Sequence, residues 1–66
     1  MYIAYIGGYN PVIAFEDIPE KAMALALKQK RTMFPEECPK TWDKATEFYG
    51  GWVSECHSGL VVTEGL

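Results

Sequence analysis

Tyr2-Ile3-Ala4-Tyr5-Ile6-Gly7-Gly8-Tyr9-Asn10-Pro11-Val12-Ile13-Ala14-Phe15-Glu16 is the stretch whose reading decides the fold. Two runs rich in β-branched and aromatic residues, Tyr2–Ile6 and Val12–Glu16, flank a segment of turn formers. Glycine takes positive φ at no steric cost, Asn tolerates the left-handed region, and Pro fixes its own φ. The stretch therefore predicts a β-hairpin with its tip at Gly7–Pro11. One face of that hairpin would carry Ile3, Tyr5, Ile13 and Phe15, and the other Tyr2, Ala4, Ile6, Val12 and Ala14. A sheet with one wet face alternates apolar with polar, and this one does not. Both faces are expected to be covered, one by the next helix and one by a partner subunit or the C-terminal segment.

Outward from the hairpin, Asp17-Ile18-Pro19-Glu20 reads as a helix start. Asp17 is the candidate acceptor for the first-turn amides, Glu20 can reach back, and Pro19 is tolerated early in a helix. Lys21 to Met33 holds strong helix formers with no Gly or Pro. Ile18, Ala22, Leu25, Ala26 and Met33 fall on one stripe, with Met23 and Leu27 beside it. Phe34-Pro35 ends the helix, and Pro35 to Lys40 is a loop. Thr41 is the candidate cap of a second helix over Trp42 to Phe48, stopped by Gly50-Gly51. Trp52 to His57 and Leu60 to Glu64 predict a second hairpin around Ser58-Gly59. The sum is ββααββ: an α+β fold with a small antiparallel sheet and helices mainly on one face.

This architecture has a geometric consequence. About 14 helical residues run roughly 20 Å, close to the length of a five-residue strand. The basic end of the helix should return to the pole that holds the hairpin tip. Tyr9, Asn10, Lys28, Lys30 and Arg31 would then share one edge, able to hold an anionic, aromatic ligand such as a nucleotide. Arg and Lys would take the phosphate and Tyr would stack on the base. The plainer reading is that the three cations satisfy the negative end of the helix dipole.

The remaining candidates are weaker. His57, the sole histidine, adjoins Cys56, but neighbours on a strand point to opposite faces and cannot easily share a proton. An exposed turn-flanking histidine is the expectation, with a ligand contact as the alternative. Zinc lacks Cys-x-x-Cys spacing, so no metal or cofactor is expected. Cys38 and Cys56 are too few for a disulfide framework, which favours free thiols over a single bridge. The carboxylates form no defined pair, and a chain this small rarely encloses a pocket that would raise one pKa. Trp42 and Trp52 read as core anchors or as interface hot spots.

Sixty-six residues make a single domain, 1–66, whose own core is marginal. Nine of those residues are aromatic and 48% are hydrophobic, more ring surface than so small a core needs, which points to oligomerisation and recognition. The net charge of −3 lacks the basic footprint of a nucleic-acid binder. No basic n-region or cleavage site opens the chain and no apolar run approaches a membrane span, so a cytoplasmic protein is expected.

Tyr2-Ile3-Ala4-Tyr5, the Gly-rich loop, Pro11-Val12-Ile13-Ala14-Phe15-Glu16-Asp17 and Glu20-Lys21-Ala22 ahead of an alanine-rich helix resemble short bacteriophage and prophage accessory proteins. The resemblance covers roughly the first 30 residues and offers no functional residues to carry over. It implies action against host functions, in one of two ways. One is a homo-oligomeric sponge that sequesters a nucleotide-derived signal of bacterial immunity. The other is a small inhibitor that docks on a host enzyme. An enzyme is not expected, because the chain lacks a nucleophile–base pair and the bulk to exclude water.

Overall fold

β1 (Tyr2–Ile6) and β2 (Val12–Glu16) form the hairpin, antiparallel, with Ile3 opposite Phe15 and Tyr5 opposite Ile13. Gly8 at φ 82° and Asn10 at φ 52° supply the left-handed residues its loop requires. The computed structural model describes residues 1–55. Beyond the hairpin lie α1 (Pro19–Met33), α2 (Trp42–Tyr49) and β3 (Gly51–Glu55). β3 pairs antiparallel with β1, giving a three-stranded sheet in the order β2-β1-β3. The class is α+β with an antiparallel sheet and two helices. The described order is ββααβ. The expected Ser58-Gly59 turn and the strand over Leu60–Glu64 lie outside the described residues, as do Cys56 and His57.

The register sorts the side chains. Ala4, Ile6, Val12 and Ala14 share the face that meets Ala22 and Ala26 of α1, and these six form the buried cluster. Most of them are small, so helix and sheet approach closely. Tyr2, Met23, Leu25, Leu27, Trp42, Tyr49 and Val53 pack around its rim. Gly51 lets β3 lie against β1, since a Cβ there would run into the Tyr5 carbonyl oxygen.

Two local expectations need correcting. Asp17 does not cap α1. Ile18 occupies that position without a side-chain bond, and Asp17 instead pairs with Lys21 across 3.7 Å of exposed surface. Ile18 and Met33 are exposed rather than on the packed stripe, which continues from Ala22 and Ala26 to Lys30. No element among the described residues covers the second sheet face, and the two covers expected for it, a partner subunit or the C-terminal segment, lie outside the described residues. Thr41 does cap α2, its hydroxyl accepting from the Lys44 N–H at 3.3 Å.

Candidate functional site

Lys30 stands four residues after Ala26 and eight after Ala22, so the helix aims it at the sheet rather than at solvent. It is fully buried. Its ammonium donates to the carbonyl oxygens of Gly7 at 2.7 Å, Tyr9 at 2.5 Å and Asn10 at 3.2 Å. Three protons thus meet three acceptors, the full complement a lysine can offer. The rings of Tyr49 and Phe34 flank the charge, with centroids 4.4 Å and 5.1 Å from Nζ. Burial lowers the Lys30 pKa from its ordinary value, while Cys38 and Glu37 pull it back up. The helix therefore holds the hairpin loop from beneath with a charge-assisted clamp.

The consequence is at the loop tip. Its backbone is fixed, yet the Tyr9 side chain is 86% exposed, and Asn10 is exposed beside it. The basic end of the helix does return to the tip, as its length required. Of the three cations, however, Lys30 is committed to the loop carbonyls and has no proton left for a ligand. Lys28 and Arg31 are exposed and line a shallow, open groove of about 390 Å³ with Ala24, Leu27 and Thr32. Tyr9 and Asn10 do not line it.

Tyr49 closes the clamp from the side. Its hydroxyl donates to Glu37 Oε2 at 2.9 Å. Burial, then the bond to Glu37 and the nearby negative charge, push its pKa up to about 12. Cys38 is a free, buried thiol that donates to the Pro39 carbonyl at 3.3 Å. Burial pushes its pKa up, with Arg31 and Lys30 pulling down, so the unreactive thiol form is favoured. Among the described residues no group of three or more His, Cys, Asp and Glu side chains is placed to hold a metal ion. No described helix is long and apolar enough to cross a membrane.

The second surface is the sheet face opposite α1. The pairing arranges it as two rows across the strands, Phe15–Ile3–Ser54 and Ile13–Tyr5–Trp52. Tyr5 and Trp52 stack with centroids 5.5 Å apart and planes at 24°. Trp52 is 49% exposed, Ile13 42% and Phe15 39%, while Ile3 at the centre is buried. Trp42, by contrast, is half-buried against the rim of the core. None of the nine aromatic side chains is fully buried. The surplus of rings was legible in the composition. Alternation placed Ile13 and Phe15 on one side, but Trp52 joins them only through the pairing of β3 with β1, and neither that pairing nor the cover over the face was legible in the sequence. Compared with known proteins, the chain matches no family model, no curated protein and no solved structure.

Proposed function

We propose that the chain is a non-enzymatic, homo-oligomeric binding protein of phage type, a sponge that sequesters a nucleotide-derived signal of bacterial immunity in the host cytoplasm. The observation that carries this reading is the clamped loop. Lys30 fixes the backbone so that Tyr9 stands out at the same end of the molecule as the exposed Lys28 and Arg31. A ring held on a rigid stalk loses little conformational freedom when a base stacks on it. Arg31 and Lys28 supply positive charge to a phosphate, Arg with a planar fork that meets two oxygens. No bond is made or broken, so the ligand is held rather than turned over. Thermal-shift measurement with cyclic dinucleotides and ADP-ribose derivatives tests it. At least one of them should raise the wild-type midpoint, and Arg31→Ala or Tyr9→Ala should abolish the rise. No rise with any of these ligands rejects the sponge.

A second reading has its own support. The open aromatic face is of the kind that anchors protein interfaces, where Trp and Tyr carry much of the energy. On this reading the chain is an inhibitor that covers a host enzyme. Pull-down from a bacterial lysate should then recover one stoichiometric enzyme whose activity the chain suppresses.

A further inference from the structure

We infer that the open sheet face is a self-complementary interface, closed face to face by a second copy of this chain. This rests on the homo-oligomeric part of the reading above and assigns the surface that makes the oligomer. Three features of the face bear on a second copy as its occupant: charge and shape favour one over a foreign partner, and area sets how tightly it is held.

The first is charge. Ile3, Tyr5, Ile13, Phe15, Trp52 and Ser54 include no ionisable carboxylate or cation. Two chains of net charge −3 repel over most of their surface. They can approach best through a patch that carries none of that charge, whereas an oppositely charged partner finds nothing here to pair with.

The second is shape. Ser54 is the one short side chain among tall ones, a notch at one corner of the two rows. Face-to-face pairing of two identical sheets needs a two-fold axis lying between them. With the axis along β1, the β2 of one copy lies over the β3 of the other, and Phe15 of the first meets Ser54 of the second. With the axis across the strands, Trp52 meets that notch instead. Under either symmetry a ring fills the gap, and the sheets can close to the usual spacing of roughly 10 Å.

The third is area. A Phe, Tyr or Trp that is fully buried removes roughly 150–250 Å² from water. Applied to Trp52, Ile13 and Phe15, which are 49%, 42% and 39% exposed, with smaller parts from Tyr5 and Ser54, closure removes about 400 Å² per copy. The total of about 800 Å² is below the roughly 1,200–2,000 Å² of stable complexes. The dimer is accordingly reversible, with a dissociation constant in the micromolar range or above.

Sedimentation of the full chain under reducing conditions, from about 1 µM to about 500 µM, tests this across the affinity such an area supports. A concentration-dependent monomer–dimer equilibrium is expected. Phe15→Glu should weaken it about 30-fold or more, because the symmetry places two buried carboxylates in each interface. Should Phe15→Glu fail to fold, Ile13→Thr keeps a strand former and should weaken the dimer in the same direction. In a Trp42→Phe background, emission from Trp52 should shift to the blue as the dimer forms. A chain that stays monomeric overturns the inference, whether residues 56–66 or a foreign protein cover Trp52. A dimer untouched by both variants overturns it as well. A dimer with no nucleotide shift keeps this interface and rejects the sponge, whereas a monomer that binds nucleotide does the reverse.

Discussion

The face of the sheet under α1 carries Ala4, Ile6, Val12 and Ala14 and meets Ala22 and Ala26 of the helix. The opposite face carries Ile3, Tyr5, Ile13, Phe15 and Trp52 and meets no other element among the described residues. The chain thus spends its small residues on closure and its rings on display. Small residues bury little apolar area each, but they let a helix settle against the strands with no voids. They also let a lysine stem run between the layers and deliver its charge to the hairpin loop. Stability should therefore concentrate on the closed face and at the clamp, and recognition on the open face and the loop tip. Each substitution below tests that division.

Lys30→Met should do the most damage. It leaves the carbonyls of Gly7, Tyr9 and Asn10 without their donor, and Gly7 is buried. Part of the loss is offset because a buried charge is also removed. A net cost of about 3 kcal/mol follows from three weakened or unmade hydrogen bonds. In a chain this short that is most of the folding free energy. Urea denaturation followed by circular dichroism reads it directly. A variant as stable as the wild type would show that the clamp contributes nothing to the closed face.

Packing changes on the same face come next. Ala26 is fully buried between helix and sheet, so Ala26→Leu should cost about 1–3 kcal/mol by forcing the layers apart. Gly51→Ala should fall in the same range, since its methyl group would run into the backbone of β1. On the open face, Phe15→Thr should change monomer stability by no more than about 0.5 kcal/mol, the usual scale for an exposed position with a compatible replacement. A large loss there would mean that the rings support the fold rather than wait for a partner. The comparison between faces would then fail.

The hairpin, its loop, the helix after it and the return of the basic helix end to the loop tip were legible in the sequence. Each follows from local rules: alternation, glycine and proline chemistry, and the rise of a helix. Lys30 marks where those rules stop. A lysine late in a helix ordinarily caps the dipole in solvent. Its burial depends on the loop carbonyls of Gly7, Tyr9 and Asn10 standing within reach, which is a tertiary fact. The spacing Ala22, Ala26, Lys30 carried the signal, but Met33 offered a more apolar continuation of the same stripe and took its place in the reading. Asp17 failed as a cap for a related reason, because the helix starts at Pro19, one residue later than that cap requires. The rings of the candidate site were countable from composition. Which of them stay exposed depended on what covers the second face.

The smallest expected effect lies in the alkaline behaviour of Tyr49, and it probes the rim between the two regimes. Its ring leans on the Lys30 charge while its hydroxyl donates to the exposed Glu37. The folded-state pKa is raised to about 12 from the ordinary 10.0, chiefly by burial and then by Glu37. For a raised pKa, the stability contributed is fully present below the unfolded value. It is lost as pH rises through the folded value, because the unfolded chain ionises first. The Tyr49 contribution should thus hold up to pH 10 and decline between 10 and 12. Lys30 titrates with the opposite sense, since its pKa is lowered from 10.5, and it adds stability as pH climbs toward that value. That term is shared by the wild type and Tyr49→Phe, so the difference between their urea midpoints isolates the hydroxyl. The difference should be small, because water reaches Glu37 and screens the bond. It should shrink toward zero across the window from pH 10 to 12. A difference that stays constant there would mean that the Tyr49 pKa is not raised in solution, so that its hydroxyl is neither buried nor bonded to Glu37 and the clamp is open on that side.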